Sequence, residues 1–266
     1  MSPQAILKME RDGSKTNSAY WDKVWQTGTD LRLPRGLFVS NRDIQRLLKA
    51  RIKPGMRVLE IGFAPGNMLA WVAKALGAQV AGVDFSETGV RSAWKLFEVL
   101  QIPGDLRCED IRVTTFPPGS FDLVYSQGFI EHFIDPTEMV RRHVLLLKPG
   151  GRALITIPNY GGIYGTLQRF FDPENLDIHN LNIMRPGPLA RLAPSDLACQ
   201  TAAYPAGRIS PWVLSLHKRW PLPAARIINH LVNLLGLLQP FDIGALAPML
   251  VLEMGRVEEW TNPRNS

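Results

Sequence analysis

The chain has 266 residues, 45% of them hydrophobic and 20% charged, which is enough apolar material for a stable core without disulfide or metal staples. Its net charge is +6, but the cations fall singly or in pairs (Arg141-Arg142, Lys218-Arg219) with no basic block, which argues against nucleic acid and leaves an anionic substrate or a membrane surface as uses for the charge. Cys108 and Cys199 make no metal or redox spacing, the N-terminus lacks a signal-peptide run, and no apolar stretch approaches a membrane span, so a cytoplasmic location is expected.

Residues 1–17 are polar. In SAYWDKVW, Trp21 and Trp25 stand four apart on one helical face. SNRDIQRLLKARIKPG predicts a helix capped by Ser40 or Asn41, with Ile44, Leu47 and Leu48 as its apolar stripe and Pro54-Gly55 as its stop. A strand–helix rhythm follows. RVLEIG is a strand, NMLAWVAKALG a helix closed by Gly77, and QVAGVDF a second strand. SETGVRSAWKLFEVL is a helix whose buried side is expected to hold Val90, Ala93, Trp94, Phe97 and Leu100. DLRCEDI and FDLVYSQ are the third and fourth strands, PTEMVRRHVLLL a helix stopped at Lys148-Pro149-Gly150-Gly151, and GRALITIP the next strand. Strands separated by helices of this length need crossovers, so the predicted fold is α/β: a doubly wound, mostly parallel sheet with helices on both faces. After Pro158 the rhythm gives way to an irregular segment over the sheet edge. CQTAAYPA then reads as a strand, PAARIINHLVNLLGLL as a helix with Ile228, Leu231, Val232, Leu235 and Leu238 on one face, and APMLVLEMGRV as the last strand.

The turn after the first strand decides between ligands. A dinucleotide loop needs G-x-G-x-x-G, whereas here Gly62, Ala64 and Asn67 fill those places and Gly66 stands one position early. The pattern E-x-G-x-A-x-G (Glu60, Gly62, Ala64, Gly66) suits a backbone crossing close beneath an amino-acid-bearing nucleoside. A carboxylate at the strand end attracts an ammonium group and would repel a pyrophosphate.

With GVDFS, CEDI, FDLVYSQGFIEH and LLLKPGGRALITIPN, the stretch from about residue 55 to 160 resembles the ordered motifs of class I S-adenosylmethionine-dependent methyltransferases. The resemblance implies a Rossmann-like, seven-stranded sheet with an antiparallel last strand, S-adenosyl-L-methionine as cofactor and S-adenosyl-L-homocysteine as product. It implies one methyltransferase domain over 1–266: residues 1–40 as an N-terminal lid, 41–160 as the cofactor-binding core, 161–195 and 207–246 as substrate-side insertions, and 247–257 as the last strand. Asp84 is placed to accept both ribose hydroxyls in a bidentate manner; as a helix cap, Ser86 suits better. Phe85 lies against adenine or belongs to the core. Asp110, or its neighbour Glu109, accepts the adenine amino hydrogen, and Ile111 supplies a backbone N–H and an apolar wall. Ser126 and Gln127 stand where the family contacts the methionine end. Ala64 departs from the commoner glycine.

GFIEHFIDP is similar to the LEH-x-x-DP stretch of ubiquinone-type O-methyltransferases. Those enzymes carry a further glutamate three residues earlier that helps hold a divalent metal; Gly128 stands there, so a metal-independent reaction is expected. His132 is the candidate base, with a structural histidine as the competing reading. Glu131, Tyr160, His179 and the lid residue Trp21 are candidate substrate contacts, and His143 is expected on a solvated helix face. The apolar segment 207–246 is a core or homodimer contact, a pocket wall, or a peripheral membrane contact. The expected function is methyl transfer to a small-molecule oxygen nucleophile (phenol, hydroxyl or sugar). A small-molecule amine, or cofactor binding without catalysis, is the alternative.

Overall fold

The computed structural model describes residues 13–26 and 32–257. Its elements run α1 (Ser18–Gln26), α2 (Val39–Lys49), β1 (Arg57–Ile61), α3 (Asn67–Leu76), β2 (Gln79–Asp84), α4 (Glu87–Val99), β3 (Gly104–Cys108), β4 (Phe121–Gln127), α5 (Thr137–Leu145), β5 (Leu147–Pro158), α6 (Ile163–Phe171), α7 (Pro173–Asp177), α8 (Pro186–Ala190), β6 (Cys199–Ala206), α9 (Leu222–Leu238) and β7 (Met249–Arg256). The strands form one seven-stranded sheet in the order β3-β2-β1-β4-β5-β7-β6. Strands β1 to β5 are mutually parallel, and β7 runs antiparallel to both its neighbours. This is the doubly wound, mostly parallel sheet that the strand–helix rhythm predicts, with the seven strands and antiparallel last strand that the resemblance implies. The strand order reverses between β1 and β4, so a crevice opens beyond their carboxyl ends.

Both faces of the sheet are covered because the strands are near-continuous apolar runs. On one face Val58, Val80 and Leu123 pack with Leu48 of α2, Leu69 of α3 and Leu96 of α4. On the other, Leu59, Val83 and Val124 pack with Val140 and Val144 of α5. Fully burying one such side chain contributes roughly 1.5–3 kcal/mol. Packing of these layers, rather than helix propensity, therefore holds the helices in place.

Several local expectations are corrected. Helix α2 begins at Val39, and neither Ser40 nor Asn41 caps it. The Val39 N–H donates instead to Asn233 Oδ1 of α9 at 2.8 Å, a cap supplied from 194 residues away. Trp94 is 52% exposed rather than buried; the inward positions of α4 belong to Val90, Ala93, Leu96 and Phe97. His143 is fully buried, because its face of α5 points at β4. Its Nδ1 lies 2.8 Å from the Met139 carbonyl and its Nε2 lies 2.9 Å from Ser126 Oγ. Helix α9 turns its leucines outward and buries Ala225 and Gly236. A Cβ at position 236 would stand 2.1 Å from the Ile209 carbonyl oxygen, so glycine is what lets this side of the helix approach.

Candidate active site

A cleft lies at the carboxyl ends of β1, β2 and β4, roofed by α1. Asp84 sits at the end of β2 because the strand terminates there. Its carboxylate accepts the Ala64 N–H at 3.1 Å and the Ser86 N–H at 2.8 Å, which fixes its orientation and leaves further lone pairs for a ligand. Burial, helped by nearby Asp22, pushes its pKa up to about 6 against the pull of those donors. Ser86 caps α4 by accepting the Gly89 N–H at 3.1 Å.

Across the cleft, Asp110 accepts the Arg112 N–H at 3.0 Å and pairs with the Arg112 guanidinium at 2.7 Å. Glu109 is held by the Thr114 hydroxyl at 2.9 Å and by the Thr115 N–H at 2.8 Å and hydroxyl at 2.6 Å. Both acids line the cleft beside Ile111. Glu60 stands behind the wall: Tyr125 OH donates to it at 2.8 Å and Gln127 Nε2 at 2.9 Å. Burial pushes the Glu60 carboxyl up to about 8, opposed by those two hydrogen bonds. Through that bond it is tied to Gln127, which does reach the cleft.

Of the candidate residues, Gly62, Ala64, Asp84, Phe85, Asp110, Ile111, Gln127, His132 and Trp21 line this one cleft. Glu60 and Ser126 sit in the layer beneath it, and Gly66 packs α3 against α4, where a Cβ would come within 2.8 Å of Ala93 Cβ. Glu131, Tyr160 and His179 form a second, buried group that meets the cleft through His132. The edge of Trp21 lies against the His132 ring at 5.1 Å, His179 lies 4.9 Å from it on the other side, and Tyr160 stands edge-on to His179 at 5.2 Å.

The chemistry of that group follows from its hydrogen bonds. His132 Nδ1 is 3.0 Å from the Ile178 carbonyl, and His179 Nδ1 is 2.5 Å from the Asn175 carbonyl. A carbonyl can only accept, so each Nδ1 carries its proton and each neutral ring keeps a lone pair on Nε2. Burial lowers the His132 pKa to about 4 and also lowers that of His179, so both rings are neutral near pH 7. Glu131 is fully buried, neither carboxylate oxygen has a hydrogen-bond partner, and burial pushes its pKa up to about 8. Among the described residues, Glu131, His132 and His179 are the grouping able to hold a metal ion, with donor atoms within 4.8 Å of one another. Gly128 has φ +62, a conformation that a glutamate rarely adopts, so the backbone itself disfavours the family's extra acid at this position.

The sequence reading missed Asp22. Its Oδ1 accepts the Ser86 hydroxyl at 2.7 Å and the Thr88 N–H at 3.1 Å, hooking the lid helix to the first turn of α4. A carboxylate suits that helix terminus. Only its position between Trp21 and Trp25, as the single acid of α1, could have drawn attention to it. Of the expected lid, residues 1–12 and 27–31 lie outside the described residues. Asp22→Ala is expected to weaken S-adenosylhomocysteine binding at least tenfold, because hydrogen bonds to a charged acceptor contribute about 1.5–3 kcal/mol. The melting temperature of the sheet should change little. Calorimetry and a thermal melt on the same sample check both parts.

Residues 59–155 match the family described as a methyltransferase domain. The chain is 33% identical over 154 residues to phosphoethanolamine N-methyltransferase 2 of Caenorhabditis elegans, a match covering 56% of this chain and 34% of that protein. It is 33% identical over 105 residues to the ubiquinone biosynthesis O-methyltransferase of Coxiella burnetii, covering 40% of this chain and 44% of that one. The chain thus spans less than half the length of these curated relatives. Among solved structures, Haemonchus contortus phosphoethanolamine N-methyltransferase 2, in complex with phosphomonomethylethanolamine and S-adenosylhomocysteine, aligns at TM-score 0.54 and 21% identity over 83% of this chain and 53% of that one. The [4+2]-cyclase SpnF aligns at TM-score 0.55 and 16% identity over 82% and 81%. At such identities the structures speak for the fold alone, and the fold serves more than one chemistry.

Proposed function

We propose, from the premise that residues 59–155 form a class I S-adenosylmethionine-dependent methyltransferase domain, that the chain transfers a methyl group from S-adenosylmethionine to an oxygen of a small molecule in the cytoplasm, without a metal, and releases S-adenosylhomocysteine. One observation carries this reading: the oriented carboxylate of Asp84 and the neutral, anchored ring of His132 line the same cleft. The cofactor, when bound, supplies a methyl carbon made electrophilic by its sulfonium. Asp84 takes the ribose hydroxyls, Phe85 and Ile111 flank the adenine, Asp110 accepts from its amino group, and Gln127 meets the methionine end. The lid aromatics Trp21 and Trp25 exclude water. Holding two reactants in line is worth on the order of 7–11 kcal/mol of barrier.

His132 Nε2 takes the acceptor's proton. An imidazole with a pKa of about 4 suffices for this, because a hydroxyl becomes strongly acidic as its oxygen gains the methyl group. A neutral amine attacks through its lone pair and needs no base during the transfer, so a base in the cleft has work to do only with a hydroxyl acceptor. This contrast supports oxygen over nitrogen, although relatives of both kinds exist. A panel of phenols, sugars and amines assayed with methyl-labelled cofactor and a chelator tests the proposal. Transfer to a hydroxyl is expected, unchanged by the chelator. Labelling of amines alone, or loss of activity restored by a divalent ion bound at Glu131, His132 and His179, would overturn it.

A further inference from the structure

Helix α9 is built inside out. Its small and polar side faces the protein: Ala225 and Gly236 are buried, and Asn233 donates to the Leu37 carbonyl at 2.9 Å while accepting the Val39 N–H. Its outer side carries Ile227, Leu231, Leu234, Leu235 and Leu238, each more than half exposed. The Gly236 approach and the Asn233 bonds fix this orientation, so the leucine face cannot roll inward. Phe170 of α6 and Trp220, just before α9, extend the apolar surface with exposed rings; Arg219 lies over Phe170 at 5.0 Å, and Trp220 packs on Phe171.

The segment that carries this face has charge of one sign. Residues 197–241 contain four cations, Arg208, Lys218, Arg219 and Arg226, and no Asp or Glu. Arg208 is occupied by Asp43 at 2.8 Å, whereas Lys218, Arg219 and Arg226 are exposed. The next acid, Asp242, is paired with Arg46 at 2.6 Å. An apolar helix face rimmed by Trp, Phe and cations matches a helix lying in the headgroup layer. A symmetric pair of chains meeting here would bring the three cations of both copies to one interface, with no carboxylate in the segment to offset them.

We propose that the α9 face docks on an anionic lipid bilayer, leucines among the acyl chains and Lys218, Arg219 and Arg226 on the phosphates. The inference stands apart from the choice of methyl acceptor. The test sediments the full chain with vesicles of phosphatidylcholine alone and of phosphatidylcholine with about 30% phosphatidylglycerol. Binding is expected to the anionic vesicles and to be reversed by high salt. Each cation contributes roughly a fivefold factor, so the triple change Lys218→Ser, Arg219→Ser, Arg226→Ser should weaken partitioning on the order of a hundredfold. The pair Leu231→Ser, Leu235→Ser should abolish it, with S-adenosylhomocysteine titration confirming that both variants remain folded. Failure to bind anionic vesicles, equal binding to both vesicle types, or a stable dimer in sedimentation that the leucine changes dissolve would each overturn the proposal.

Discussion

Asp84→Ala is expected to lower the affinity for S-adenosylhomocysteine at least ~100-fold in calorimetric titration. Two hydroxyls donating to one carboxylate are charge-assisted hydrogen bonds of about 1.5–3 kcal/mol each, and their joint loss exceeds the ~2.7 kcal/mol that a hundredfold requires. The alanine also strands the Ala64 and Ser86 N–H groups, so part of the effect on the loop is structural. Asp84→Asn separates the two contributions: it keeps an acceptor of the same shape, removes the charge, and should fall between alanine and the parent. The pH dependence has a definite sign. The Asp84 pKa is raised to about 6, so affinity holds steady above that value and declines below it as the carboxyl takes up its proton. Folding responds oppositely. The group contributes most to stability below its unfolded value of 3.8, and that contribution is lost as pH rises through about 6. Ligand binding and ligand-free stability should therefore run in opposite directions between about pH 4 and 6. Unchanged affinity in both variants would remove Asp84 from the cofactor site.

Strand ends are where sequence and site correspond most directly. Asp84, Gln127 and Ile111 could be placed from the chain alone because alternating strands and crossover helices pin those positions to one edge of a parallel sheet. What escaped depends on partners distant in sequence. The cap on Val39 comes from Asn233, and the hook on α4 comes from Asp22 in a helix 64 residues earlier. No local pattern announces either. Periodicity identified the leucine stripe of α9 correctly but could not say which side faces inward; the glycine and asparagine on the opposite side decide that through close approach and specific bonds. His143 looked solvated because it neighbours Arg142, yet a one-residue step round a helix suffices to carry a side chain from water to the buried Ser126 hydroxyl. The isolation of Glu131 was equally unreadable, since it depends on what the surrounding segments fail to offer.

The second large effect concerns His132. His132→Ala should reduce kcat by about 10²–10⁴-fold, the usual worth of a positioned general base, with S-adenosylhomocysteine affinity within a few-fold of the parent. The separation is expected because the ring contacts Trp21 and the Ile178 carbonyl, while the nucleoside contacts assigned above lie at the ends of β2 and β3. A purely structural histidine would give another pattern: loss of the ring would loosen the lid, and cofactor affinity would fall together with rate. The pH profile discriminates further. A base with a pKa near 4 leaves turnover flat across neutral pH and lets it drop only as pH approaches that value. In the alanine variant this acid limb should vanish, and added imidazole should restore part of the rate by occupying the vacated space. Near-normal turnover in His132→Ala would remove histidine as the base. Proton transfer would then fall to the acceptor itself or to solvent, and the argument for oxygen over nitrogen would fall with it, since that argument rests on a hydroxyl, unlike a neutral amine, needing a base in the cleft.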